Sequence, residues 1–93
     1  MQSTEVSDFP DVIDTINTTL PTKVILFNDE IHSFDEVIEQ IIKAVNCSLK
    51  TAEAYTWEVH NRGKACVFGG EIQECIKVSS VLEEIALNTQ IEY

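Results

Sequence analysis

The chain has 93 residues, of which 44% are hydrophobic, and its 16 acidic and 6 basic residues give a formal net charge of −10. This length suits one small domain with a modest core. The negative charge would repel phosphate backbones, which argues against nucleic-acid binding; it either favours a cationic partner or simply keeps the domain soluble. No apolar run approaches the roughly 20 residues that span a bilayer, and the N-terminus lacks the basic and apolar regions of a secretory signal, so we expect a cytoplasmic protein that does not bind membranes.

The cysteine pattern argues against a disulfide framework and against a structural zinc site. Cys47, Cys66 and Cys75 are odd in number, and no pair has C-x-x-C spacing. We therefore expect all three to be reduced and structural, and we expect no metal and no cofactor.

The first 21 residues differ in composition from the rest. They contain four acidic residues, two prolines and no basic residue. Such a segment cannot bury enough apolar area to order itself. The sequence thus predicts a flexible N-terminal arm over residues 1–21 and a single domain over residues 22–93.

The domain is predicted to begin with a strand and a helix. Residues 23–28 contain four consecutive β-forming residues, VILF, which indicate a strand that ends in a polar turn. Ser33 and Glu36 have the spacing of a capping box. Apolar residues at i, i+3, i+4 and i+7 follow, and they predict a helix over residues 34–45.

A second helix is predicted over residues 49–61. Ser48 stands at its N-cap position, and Gly63 follows it as the glycine that commonly ends a helix. This places His60 in the last helical turn. The residues expected to face the core are Leu49, Ala52, Tyr55 or Thr56, and Val59.

The remaining segments predict a strand over 64–68, a sharp turn at Gly69–Gly70, a helix over 71–86 and a closing strand over 88–93. The helix positions expected in the core are Ile72, Cys75, Ile76, Val78 or Ser79, Leu82 and Ile85. The order βααβαβ predicts a small α+β sandwich, in which three helices pack on one face of a three-stranded antiparallel sheet.

A few polar residues could carry chemistry. If the fold brings Asn28 and Asp29 to His60, their oxygens and ring nitrogen could accept hydrogen bonds from an amino group, although a histidine at a helix end is more often structural or simply exposed. An alternative is a small hydrolase or metal protein that uses His32, His60 and Cys66. We do not expect an enzyme, since no nucleophile, phosphate-binding or H-x-x-x-H motif is present.

Two motifs at matching separation resemble the Clp protease adaptor family, ClpS. They are VILFNDEIHSFDEVIEQI, which contains Asn28, Asp29 and Glu30, and AEAYTWEVHNRGKA, which contains His60 and Gly63. The resemblance implies the fold of the ribosomal L7/L12 C-terminal domain and a non-enzymatic, monomeric adaptor. Such an adaptor binds polypeptides with destabilising N-terminal Leu, Phe, Tyr or Trp (N-degrons) and delivers them to the N-terminal domain of an AAA+ Clp ATPase.

The resemblance also implies functions for individual residues. The α-amino group of the substrate would be bound by Asn28, Asp29 and His60. The first side chain would enter a hydrophobic pocket formed by Leu26, Phe34, Val37, Thr56, Val59 and Leu87. Contact with the unfoldase would involve Glu71, Lys77 and the arm over residues 1–21.

Three positions depart from the family pattern. The family usually has threonine where His32 stands, and it often has methionine where Phe34 and Thr56 stand. Phe34 would narrow the pocket, and Thr56 would make one wall smaller and more polar. These departures leave a second hypothesis open, in which the same fold serves as an interaction module or a modulator of the Clp unfoldase without N-degron binding.

Overall fold

The computed structural model describes residues 21–93, so the arm predicted over residues 1–21 lies, apart from Pro21, outside the described part of the chain. The domain is built, in chain order, from β1 (Thr22–Phe27), α1 (Phe34–Val45), α2 (Leu49–Arg62), β2 (Lys64–Gly70), α3 (Ile72–Glu83) and β3 (Thr89–Glu92). The sheet order is β2–β1–β3, and both pairs are antiparallel. The predicted α+β class and the βααβαβ order are confirmed. No helix within residues 21–93 is long and apolar enough to cross a bilayer.

The central strand β1 contributes buried side chains to the hydrophobic core. Val24 and Leu26 are fully buried, and they pack with helix residues in one apolar cluster. Because side chains alternate along a strand, Ile25 lies on the opposite face, where it lines a shallow hollow beside Arg62 and Cys66. Helix α1 packs mainly against α2 and α3, and α3 covers the sheet.

Strand β2 is longer than predicted, because the turn expected at Gly69–Gly70 is absent. Both glycines continue the ladder, opposite Lys23 and Thr22 of β1. Val67 has no direct partner, since Phe68 pairs with Val24 and Cys66 with Ile25; it is the extra residue of a β-bulge. Pairing with β1 therefore outweighs the tendency of two glycines to form a turn, and the chain turns at Glu71 instead.

The helix ends of α1 and α2 follow the predicted capping chemistry. Ser33 Oγ accepts from the backbone N–H of Glu36 at 3.2 Å, and the backbone N–H of Ser33 donates to Glu36 Oε1 at 2.8 Å. Ser48 Oγ accepts from the N–H of Thr51 at 3.1 Å. Gly63 ends α2 with a φ of 88°, in the left-handed region that glycine adopts without steric cost.

Helix α3 ends at Glu83, three residues before the predicted end. Its last turn tightens, because the N–H of Glu84 donates to the Val81 carbonyl and the buried side chain of Gln40 donates to the same oxygen. Lys43 pairs with Glu84 at 3.0 Å, so α1 fixes this end of α3. The chain then reverses at Ala86, which has a φ of 66°.

Three residues predicted in the core are exposed: Leu49, Ile72 and Ile76. The buried stripe of α3 consists of Cys75, Val78, Ser79 and Leu82, whose spacing selects one face of the helix. Ile72 and Ile76 stand on the neighbouring face, which the apolar pattern of this helix could not distinguish from the buried one. Leu49 lies at the start of α2, one turn before Ala52 reaches the core.

Candidate functional site

A cavity lies where the end of β1, the start of α1, the last turns of α2 and the segment after α3 meet. It holds about 390 Å³ of empty space, which includes open solvent at its mouth. The residues that line it are Leu26, Phe27, Asn28, Asp29, His32, Phe34, Val37, Thr56, Val59, His60 and Leu87. The structure therefore brings together all nine residues that were predicted for the amino group and for the hydrophobic pocket, and it adds Phe27 and His32.

Backbone hydrogen bonds explain why these distant residues meet. The N–H of Asn28 donates to the Gly63 carbonyl at 2.9 Å, which joins the end of β1 to the end of α2. The N–H of Phe27 donates to the Asn88 carbonyl at 3.0 Å, which brings the segment with Leu87 to the other side of β1. The left-handed cap at Gly63 thus places the last turn of α2, with His60, beside the polar turn that follows β1.

Asp29 is held in a turn by backbone donors. Its Oδ1 accepts from the N–H groups of Ile31 and His32, each at 3.0 Å. Its Oδ2 accepts from the ring of His32, with 2.7 Å between Oδ2 and Nδ1. Burial alone would raise the pKa of Asp29, but the hydrogen bonds from His32 and Ile31 outweigh it and lower the pKa below its ordinary value. Asp29 is therefore an ionised carboxylate in the wall of the cavity.

The second ring nitrogen of His32 bonds the carbonyl of Ile85, 53 residues further along the chain. The side chain of His32 is only 12% exposed. The hydrogen bond to Asp29 raises the pKa of His32 against the opposing effect of burial, and the bond to Ile85 adds to the rise. The sequence analysis considered His32 for a hydrolase or metal site and as a departure from the family pattern, and it missed this bridge. Asp29 and His32 are three residues apart in a turn, and this spacing could have indicated the contact between them but not the contact with Ile85.

The apolar walls of the cavity come from β1, α1, α2 and the segment after α3. Leu26, Thr56 and Leu87 are almost fully buried. Thr56 Oγ1 donates to the Ala52 carbonyl at 2.7 Å, one turn earlier in α2. Because its proton is used within the helix, the hydroxyl offers the cavity only acceptor capacity, and this wall is less polar than the sequence suggested.

An aromatic group stands beside the cavity. The ring of Phe34 lies 4.7 Å from that of Trp57, and each of these rings contacts His60 edge to face at 6.1 Å between centroids. Trp57 is 54% exposed. The imidazole of His60 thus contacts two aromatic rings, one of which belongs to Trp57, a residue that the sequence analysis did not single out.

Other predicted sites fall elsewhere. Glu71, at the N-cap of α3, and Lys77 are exposed, and neither lines the cavity. All three cysteines are free thiols: Cys75 is buried, Cys47 is half-buried and Cys66 is exposed. Cys66 lines the hollow beside Ile25, whereas His32 and His60 line the cavity. The three residues therefore do not share one site, which contradicts the hydrolase hypothesis.

No three His, Cys, Asp or Glu residues in the described part of the chain are grouped so that they could hold a metal ion. Both ring nitrogens of His32 are already engaged with protein acceptors. The arrangement around the cavity can therefore accept hydrogen bonds and enclose an apolar group.

Comparison with known proteins gives a consistent assignment. Residues 17–91 match the family model described as ATP-dependent Clp protease adaptor protein ClpS. The chain is also similar to E3 ubiquitin-protein ligase UBR2 of Homo sapiens, with 33% identity over 76 residues, which are 82% of this chain and 4% of UBR2. It is 37% identical over 51 residues to UBR1 of Homo sapiens, and these cover 55% of this chain and 3% of UBR1.

The chain thus spans only a small part of these ligases, and the similarity concerns one domain of each. The family match covers most of the chain, including the strand, the two helices and the turn that form the cavity. Proteins of this family are adaptors rather than catalysts. The chain belongs to the ClpS family of Clp protease adaptor proteins.

Proposed function

We propose that this protein is a cytoplasmic adaptor that binds polypeptides by a free N-terminus with a bulky hydrophobic first residue and delivers them to an AAA+ Clp unfoldase. The observation that carries the proposal is the cavity, in which polar acceptors and apolar walls lie side by side. Such a site suits a ligand that has an ammonium group and an apolar side chain on the same carbon atom.

The polar side supplies the acceptors. An ammonium group has three N–H donors, and the amide oxygen of Asn28, the carboxylate of Asp29 and a neutral ring nitrogen of His60 can each accept one of them. Hydrogen bonds with a charged donor are stronger than neutral ones. An acetylated N-terminus has no charge and one donor, so this side of the cavity would discriminate against it.

The apolar side of the cavity would stabilise the complex by burying the first side chain of the ligand. A side chain that enters between Leu26, Val59 and Leu87 leaves water for walls that are already buried. Full burial of a Leu or Phe side chain contributes roughly 1.5–3 kcal/mol. The proposed site would therefore reject an N-terminal Gly or Ser, which gains little from burial.

A calorimetric titration tests the recognition step. A peptide that begins with Phe should bind, whereas its N-acetylated form should not. His60→Ala should weaken binding by about 2 kcal/mol, or roughly 30-fold, the scale of a charge-assisted hydrogen bond. Asn61→Ala is the matched control, because Asn61 is the next residue of α2, is exposed and does not line the cavity. Equal affinity for the free and acetylated peptides would contradict the proposal.

Delivery to the unfoldase needs a separate test. We expect the N-terminal domain of the Clp ATPase to bind a monomer of this protein through Glu71, Lys77 and residues 1–21. Glu71→Lys should weaken co-purification with that domain, while Lys50→Glu, on the exposed side of α2, should not. If both variants retain the domain equally, these contacts are wrong.

Two observations favour alternatives that the same assays separate. Asp29 Oδ2 is engaged by His32, which fits an interaction module that binds the unfoldase and ignores N-degrons. The similarity to proteins named as E3 ubiquitin-protein ligases suggests that the same recognition step can serve ubiquitin transfer. Unfoldase binding without peptide binding would support the first alternative, and peptide binding without unfoldase binding would support the second.

A further inference from the structure

The two oxygens of Asp29 have different surroundings. Oδ1 is fixed by two backbone N–H groups, whereas the partner of Oδ2 is the ring of His32. Oδ1 would therefore hold the carboxylate in place even if the ring moved away. Oδ2 is the oxygen that a ligand ammonium could reach without disturbing the turn.

The contacts of His32 require a charged ring. Nδ1 faces a carboxylate and Nε2 faces a carbonyl, and both groups only accept hydrogen bonds. A neutral imidazole has one N–H and could satisfy only one of them. The arrangement therefore describes an imidazolium, which agrees with the raised pKa of His32.

The charged groups around the ring act in the same direction. The imidazolium is attracted by Asp29, in the turn after β1, and by Glu36, in the first turn of α1. On the side of α3, the carboxylates of Glu83 and Glu84 are bound to other partners, Thr89 and Lys43. Across the cavity, His60 of α2 is the group that would repel the ring if it were itself protonated.

We propose that the His32 imidazolium is an internal cation that occupies the Asp29 oxygen needed by the ligand ammonium, so that His32 sets the pH at which the cavity accepts a free N-terminus. This inference rests on the proposed function. When the ammonium arrives, the bond from Nδ1 to Oδ2 breaks and the Nδ1 proton passes to solvent. The Nε2–H group stays on the Ile85 carbonyl, and the ammonium takes over Oδ2.

The reason is competition between two cations for one carboxylate. An imidazolium and an ammonium a few ångströms apart repel each other, and this repulsion lowers the affinity for the ligand while His32 is charged. The coupling is reciprocal, so a bound ammonium must also lower the pKa of His32. At high pH the ligand amine itself loses its proton, near pH 7.7–8.0. Binding to the wild-type protein should therefore weaken as the pH falls through the pKa of His32, and it should also weaken as the pH rises through the pKa of the ligand amine.

The test compares the wild-type protein with His32→Thr, using one Phe-initiated peptide from pH 5.5 to 8. The ratio of the two dissociation constants cancels the titration of the peptide, which is the same in both measurements. We expect the variant to bind more tightly at acidic pH, by up to about tenfold for each pH unit below the pKa of His32, and we expect the two dissociation constants to converge above that pKa.

A measurement on the wild-type protein makes the test independent of the stability of the variant. NMR titration of the His32 ring should show a lower pKa with the peptide bound than without it. A pH-independent ratio together with an unchanged or raised pKa of His32 would overturn the inference. If the peptide does not bind at any pH, the proposed function fails, and this inference fails with it.

Discussion

Gly63 is the residue whose replacement tests most directly how the fold builds the cavity. It ends α2 with a φ of 88°, and its carbonyl accepts the N–H of Asn28 at 2.9 Å. A Cβ atom built at Gly63 would meet no atom within 4 Å. Gly63→Ala therefore adds no clash, and its cost arises from the backbone conformation alone.

The size of that cost follows from two opposing effects. The left-handed conformation costs an L-residue roughly 1–2 kcal/mol. Alanine also restricts the unfolded chain, which returns about 0.4–1 kcal/mol. We expect Gly63→Ala to lower the free energy of unfolding by about 1 kcal/mol net. Gly63→Asn should cost less, because asparagine tolerates this region better.

Urea denaturation measures the effect, and Gly69→Ala is the matched control. Gly69 lies in β2 without a positive φ, and its added Cβ would meet only the Thr22 carbonyl oxygen, at 3.9 Å. This control should be neutral or slightly stabilising. If alanine lowers the free energy of unfolding equally at both positions, the left-handed cap does not account for the need for glycine at residue 63.

Three further predictions concern residues near the cavity. Ala86→Gly should raise the free energy of unfolding, by up to about 1 kcal/mol in urea denaturation, because Ala86 has a φ of 66° and glycine relieves that strain; a loss of stability would contradict this. The lowered pKa of Asp29 stabilises the fold above its ordinary value of 3.8, and this contribution is lost as the pH falls through the lowered value. The raised pKa of His32 stabilises the fold below its ordinary value of 6.5, and this contribution is lost as the pH rises through the raised value. The pair should therefore stabilise the protein most between about pH 4 and 6.5, and thermal unfolding of His32→Asn across pH should lack this maximum. Trp57→Ala should cost about 0.5–1.5 kcal/mol through loss of the ring contact with Phe34, measured by urea denaturation, and an unchanged midpoint would show that the exposed ring contributes nothing.

The sequence predicted features that depend on neighbouring residues and missed those that depend on tertiary contacts. The caps at Ser33 and Gly63 are local, so their residues reveal them. The turn expected at Gly69–Gly70 gave way to pairing with β1, which no local pattern reports. Sequence alone could not place Ile72 and Ile76, because α3 offers two apolar faces and only packing selects one.

The candidate site shows the same division. The two motifs with Asn28 and His60 indicated which residues should meet, and the bond from Asn28 to Gly63 shows how they do. The bridge from His32 to Ile85 was not predictable. The carbonyl of Ile85 lies at the cavity because α3 stops at Glu83 and the chain reverses at Ala86, and the end of α3 is held by contacts with α1.

The two main-chain bonds at the end of β1 have a consequence for folding. They join the polar turn to the last turn of α2 on one side and to the start of β3 on the other, so the cavity exists only when both halves of the chain are in place. A fragment that stops after α2 would keep the amide, the carboxylate and the imidazole but would lack the wall that carries Leu87. A ligand held there would bind only the complete domain. It would therefore raise the midpoint of unfolding of the whole domain, which would unfold as one unit.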